Sequence, residues 1–162
     1  MKKAFTMMEL VFVIVVIGIL ASIALPRLNA TRDDATLTKA KNTVASLRSA
    51  MTQEAQRRQM EGNYTLIKNL GGTINWYNKP IFNFFDGNNT GPRVLEYPLV
   101  SCKDNNSKGC WVRVSDDNGF GKYWYFPPSS DIAGYAIFKV ENNRFTCTPN
   151  PPSSKICDYL EH

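Results

Sequence analysis

From Leu10 to Leu25 the chain reads LVFVIVVIGILASIAL, sixteen residues without a charge. Such a run reads as a membrane helix or a cleaved targeting signal. Sixteen helical residues rise about 24 Å, short of a hydrocarbon core of about 30 Å. Counting from Phe5 gives twenty-one residues and a length that spans. That count includes Glu9, and a carboxylate inside a membrane helix costs several kcal/mol unless it has a partner. Lys2 and Lys3 precede the run, and no other basic residue occurs before Arg27. The positive-inside tendency therefore keeps the start of the chain cytoplasmic and exports the bulk. An ordinary signal peptide has an acid-free core cut at its far end, here after Ala24 or Ala30. That reading leaves Glu9 unexplained, and also the helical pattern that continues past the run.

The residues Ala4-Phe5-Thr6-Met7-Met8-Glu9-Leu10, followed by VFVIVVIGILASIALP, resemble the N-terminal motif of type IV pilins and type II secretion pseudopilins. The resemblance covers about the first 30 residues closely and the helix beyond them loosely. It implies a leader, residues 1–4, cut on the cytoplasmic side between Ala4 and Phe5 by a prepilin peptidase, with methylation of the new Phe5 amine. The family usually has Gly before the cut, where this chain has Ala4. It also implies that Pro26, which as a mid-helix proline removes one backbone bond, marks a bend or melted stretch in an assembled filament. Glu9 then has a role. It offsets the Phe5 amine of a neighbouring subunit, removing the burial penalty from both groups and setting the axial register.

Beyond the membrane segment, no Gly or Pro occurs from Arg27 to Glu61. Leu37, Ala40, Val44, Leu47 and Met51 recur at spacings of 3, 4, 3 and 4, with Ala55 following, which predicts one apolar stripe of an amphipathic helix. Gly62-Asn63 is a helix stop. Residues 63–96, rich in Asn, Gly and aromatics, read as an irregular, partly packed connection. Strands are predicted at Tyr97–Cys102, Cys110–Ser115, Lys122–Phe126, Tyr135–Val140 and Arg144–Thr148, separated by turn signals such as Asp116-Asp117-Asn118-Gly119 and Asn142-Asn143. The expected fold is α+β and pilin-like: a long N-terminal helix, half membrane and half amphipathic, packed on a small antiparallel sheet. The expected organisation is a leader at 1–4, a transmembrane and assembly helix at 5–26, and an exported globular domain at 27–162.

Four cysteines, at 102, 110, 147 and 157, all fall in the exported part, where oxidation is favoured. Four cysteines allow three connectivities. The expected pairing is Cys102–Cys110 across a hairpin and Cys147–Cys157 closing a C-terminal loop, and the second pair resembles the C-terminal disulfide loop of many type IV pilins. The spacings are not those of paired zinc knuckles.

Little in the chain points to catalysis. The single histidine is His162, and no nucleophile–base motif or phosphate loop is visible. The expectation is a non-enzyme with no cofactor and no metal. Asp116-Asp117-Asn118-Gly119 and the Asp104–Gly109 stretch miss the spacing of a calcium loop and read as turns. Two windows, Glu61-Gly62-Asn63-Tyr64-Thr65 and Asp86-Gly87-Asn88-Asn89-Thr90, have an acid two residues before the Asn of an N-x-T acceptor, the form that bacterial periplasmic N-glycosylation uses. Asn63 and Asn88 are therefore candidate glycan acceptors. Leaving out Lys2, Lys3 and Glu9, the remainder holds 17 basic and 13 acidic residues. That mild excess reads as a solvated basic face, and nucleic acid is only a secondary partner class.

The expected function is structural: a subunit of a type IV pilus-like or type II secretion-like pseudopilus serving protein secretion or DNA uptake (competence). The implied partners are other pilin or pseudopilin subunits, the prepilin peptidase and methyltransferase, the inner-membrane assembly platform and the membrane itself. The expected location is the bacterial inner membrane, single-pass, with a cytoplasmic N-terminus and a periplasmic C-terminal domain, in a filament after assembly. Two alternatives come from other classes. One is a monomeric, inner-membrane-anchored periplasmic ligand-binding protein, which has no use for Glu9. The other is a secreted enzyme, against which the missing histidine argues.

Overall fold

The computed structural model describes residues 6–75, 77–117, 119–128, 134–148 and 154–161; the side chains of residues 23–30, 116, 117 and 154 lie outside the described set. The chain divides into two compact units, Met1–Ala35 and Thr36–His162. One helix, α1 (Met7–Met60), contributes residues to both.

Both ends of α1 are built from local sequence. Thr6 stands just before the first turn. Its carbonyl accepts from the Leu10 N–H at 3.2 Å and its hydroxyl oxygen accepts from the Glu9 N–H at 3.3 Å. A threonine cap with glutamate three residues on has the spacing of a capping box, and the carboxylate sits where the helix N-terminus favours negative charge. At the other end Gly62 turns left-handed, with φ of 73°. Its N–H donates to the Gln59 carbonyl at 3.0 Å, and the Asn63 N–H donates to the Arg58 carbonyl at 2.8 Å. Those two bonds are a Schellman motif, which satisfies carbonyls that the helix end would leave unpaired.

The unit Thr36–His162 is α+β. Strands β1 (Pro80–Ile81) and β2 (Leu99–Val100) form a two-stranded antiparallel sheet. Strands β3 (Cys110–Asp117), β4 (Phe120–Phe126), β5 (Ala136–Glu141) and β6 (Arg144–Thr148) form a four-stranded antiparallel sheet in chain order. A short 3-10 turn, Phe85–Gly87, and helix α2 (Ser154–Glu161) complete it. The pleat sorts side chains by parity. Tyr123 and Tyr125 on β4, Ala136, Phe138 and Val140 on β5, and Phe145 and Cys147 on β6 are buried, with half-buried or exposed residues between them. They share one hydrophobic cluster with Phe82, Trp111 and, from residues 36–60, Leu37, Ala40, Val44, Leu47 and Met51. Ring pairs run through it: Phe82 meets Trp111 edge-on at 5.6 Å and Phe138 stacks on Phe145 at 4.9 Å.

Several expectations need correction. Residues 97–102 are not a strand of the main sheet; only Leu99–Val100 is extended and paired, and its partner is β1. Pro98 lacks an N–H for a ladder bond, and beside the Cys102–Cys110 disulfide the Cys102 N–H donates to the Trp111 carbonyl of β3 at 2.9 Å. Cys102–Cys110 thus closes a loop rather than crossing a hairpin. On β3 the register shifts between Arg113 and Ser115, and Trp111, Val112 and Arg113 are all buried. Strand β5 starts at Ala136 rather than Tyr135. Helix α2 was not anticipated. It buries Ile156, Cys157 and Leu160.

The two disulfides present are Cys102–Cys110 and Cys147–Cys157. The second ties α2 to β6 beside a polar clamp, in which the Glu161 carboxylate accepts from the Cys147 N–H at 3.0 Å and pairs with Arg48. Arg48 also donates from Nε to the Phe145 carbonyl at 3.0 Å, covering the β6 edge. Cys147→Ser or Cys157→Ser should lower the unfolding free energy by roughly 2–4 kcal/mol, as loss of a loop-closing bridge does, with a matching drop in the denaturant midpoint of the oxidised protein.

Candidate functional site

In the unit Met1–Ala35, α1 exposes apolar side chains on every face. Met7, Met8, Leu10, Phe12, Ile14 and Ile17 are each more than half exposed, and their apolar neighbours through Leu20 are exposed as well. A helix apolar all round is stable in water only if lipid or other helices cover it. Glu9 lies at the start of this surface, exposed, its backbone N–H held by Thr6. The Thr6 cap is not among the expected site residues, although the T-x-x-E spacing signals it. Among the described residues, no helix is long and apolar enough to cross a membrane. The described side chains of the apolar half end at Ser22, whereas the uncharged run of the sequence continues to Leu25. Ala4 and Phe5 lie outside the described residues, as does His162. Pro26 is helical in its backbone and its side chain lies outside them.

The second unit carries three polar features. The first is an ion-pair network at the end of α1. Glu54 is 4% exposed and Arg58 8% exposed. Arg58 Nε donates to Glu54 Oε1 at 2.7 Å and Arg58 Nη2 to Asp86 Oδ2 at 2.6 Å. Arg57 donates to both Glu54 oxygens at 2.8 Å and also pairs with Glu61. Burial pushes the Glu54 carboxyl up, but hydrogen bonds and charge from Arg57 and Arg58 outweigh it and hold the group below the usual carboxylate range. Burial opposes charge on Arg58 too, and its bonds to Glu54 and Asp86 raise it nonetheless. Asp86 sits in the left-handed region, with φ of 58°, and its Oδ1 accepts from the Lys68 N–H at 2.6 Å. The network therefore pins the 63–96 connection to the helix.

The second feature is the pair of candidate acceptors, which lie on separate loops. Asn63 follows the α1 Schellman turn and Asn88 follows the 3-10 turn, and both are exposed. The third is a cavity of about 340 Å³ lined by Lys39, Thr43, Leu99, Trp111 and Tyr125 among others. Among the described residues no carboxylate lines it and Lys39 is its one charged group, and Cys110 on its wall is held in a disulfide. These groups do not assemble a nucleophile with a base.

Asp104 makes a turn rather than a ligand loop. Its Oδ1 accepts from the Asn106 N–H at 3.0 Å and the Ser107 hydroxyl at 2.9 Å, and those bonds, the Ser107 one foremost, lower its carboxyl. Among the described residues, no group of His, Cys, Asp and Glu is placed to hold a metal ion. No family model, curated protein or solved structure matches this chain.

Proposed function

We propose that the chain is a structural subunit of a pilus-like or pseudopilus filament, made as a membrane-inserted precursor and processed between Ala4 and Phe5. The observation that carries this reading is the apolar surface of α1, exposed on all faces from Leu10 to Leu20, with one carboxylate, Glu9, at its start. A lipid bilayer covers such a surface before assembly and neighbouring helices cover it after. In this reading the amphipathic half of α1 packs on the four-stranded sheet, giving the pilin-like plan. The exported domain stands in the periplasm, its cysteines oxidised. The subunit performs no chemistry; the partners are other pilin or pseudopilin subunits, the peptidase and methyltransferase, and a membrane assembly platform that supplies the work for secretion or DNA uptake.

Cross-linking tests assembly. Single cysteines at Val13 or Ile17 should give a ladder of subunit-to-subunit adducts in cells that hold the whole machine, because those positions face neighbours in a filament. A chain cross-linked only as monomer would refute assembly. The second reading, an anchored ligand-binding monomer, rests on the 340 Å³ cavity with Trp111 and Tyr125 in its wall. That reading predicts the monomer result.

A further inference from the structure

The sequence holds four N-x-S/T acceptors, at Asn29, Asn63, Asn88 and Asn105. Asn63 and Asn88 have an acid two residues earlier, Glu61 and Asp86, whereas Asn29 and Asn105 have Arg27 and Lys103 there. Acids fill 14 of 162 positions, so two acids at four such places are more than random placement supplies. A bacterial oligosaccharyltransferase reads that acid together with the hydroxyl two residues after the asparagine. Folded structure decides whether it can.

We propose that Asn63 is a glycan acceptor on the folded exported domain and that Asn88 is not. The inference rests on the export assumed in the proposed function.

The Asn63 window is open. The helix has just ended in the Gly62 turn, and residues 61–66 are all exposed, Tyr64 at 80%. The Asn63 side-chain oxygen accepts from the Thr65 N–H at 3.0 Å. That bond orients the amide by its oxygen and leaves the nitrogen as the reacting atom. The Glu61 side chain is 53% exposed and pairs with Arg57 at the surface. An exposed pair of this kind contributes little, about 1 kcal/mol or less, so a transferase can take the acid at small cost.

The Asn88 window is closed at the same position. Both Asp86 oxygens are engaged, Oδ2 by Arg58 and Oδ1 by the Lys68 backbone N–H. Arg58 is nearly buried and is shared with Glu54. Reading Asp86 would require breaking the network that anchors the loop. The Thr90 hydroxyl is occupied as well, donating to Asn88 Oδ1 at 2.8 Å.

The chemistry is a glycosyl transfer from a lipid-pyrophosphate-linked oligosaccharide. Asn63 Nδ2 attacks the anomeric carbon, a C–N bond forms and the C–O bond to phosphate breaks. The lipid pyrophosphate leaves with the electron pair, and one amide proton passes to a base. No oxidant or reductant is needed.

The test is mass spectrometry of the protein purified from membranes of its own host, with peptides mapped without reduction. The expected result is a sugar-sized increment on the peptide carrying Asn63 and none on the peptide carrying Asn88. Asn63→Gln should lose the increment, and so should Glu61→Gln, which leaves the fold intact. Asn88→Gln should change nothing. A bare Asn63 in a chain whose two disulfides are formed would overturn the proposal while leaving export standing. A bare Asn63 in a chain with free thiols would remove export and the proposal together. Sugar on Asn88, with or without Asn63, would overturn the choice of site.

Discussion

Glu9→Leu is expected to abolish filament assembly while protein level, membrane insertion and leader cleavage stay normal. The substitution makes the helix more apolar, so insertion does not suffer, and the residues flanking the cut are unchanged. In the proposed filament, what disappears is the charge that would meet a neighbour's Phe5 amine. An incoming subunit would bury an unpaired ammonium, a penalty of roughly 3–5 kcal/mol per contact by analogy with broken buried pairs. The Thr6 cap supplies a rival explanation for Glu9, because a glutamate at this position also stabilises the first turn, by about 0.3–1 kcal/mol. Glu9→Gln separates the two. Glutamine satisfies the capping-box spacing but carries no charge. Loss of assembly in both variants, read by filament recovery and by transport, places the role in the charge. Normal assembly of the Gln variant would reduce Glu9 to a cap.

Glu54→Gln is expected to destabilise the unit Thr36–His162 by about 3 kcal/mol, because it strips one carboxylate from a nearly buried Arg58 and leaves Asp86 as its remaining charge partner. Thermal unfolding should fall by about 10 °C for a domain of this size. The same pair makes stability depend on pH. The folded-state pKa of Glu54 lies below its unfolded value of 4.5. Its contribution is therefore complete above that value and is lost as pH falls through the lower folded pKa. Denaturant midpoints between pH 7 and pH 3 should decline below about pH 4.5 in the wild type. The Gln variant should show a shallower decline, and parallel curves would remove Glu54 from the account.

Much of this was legible where the signal is local. The stripe Leu37, Ala40, Val44, Leu47, Met51 has helical spacing, and each of those residues is buried. Strand β6 falls on the predicted residues, and Asn142-Asn143 makes the tight turn before it with φ of 50° and 57°, values that asparagine tolerates better than most residues. Helix α2 was hidden because Pro-Pro-Ser-Ser before it reads as loop and its eight residues offer only Ile156 and Leu160 as a periodic signal. The pairing of β2 with β1 was hidden because it spans about twenty residues between two-residue strands, one beginning with Pro80. In the sequence Asp86 shows only as the acid of an acceptor window. Its partner Arg58 is 28 residues away, and no spacing rule reaches across a loop. The Glu9 carboxylate stands at the opposite extreme: its misfit with an apolar run is visible in the sequence, and the Thr6 cap that holds its backbone is local too.

The most direct test of the filament reading is the intact mass of the protein taken from membranes. The account predicts a chain that begins at Phe5, lacking residues 1–4 and carrying one added methyl group, apart from any sugar on Asn63. A chain that begins after Ala24 or Ala30, or one that still carries Met1 in a cell with an active prepilin peptidase, would contradict it.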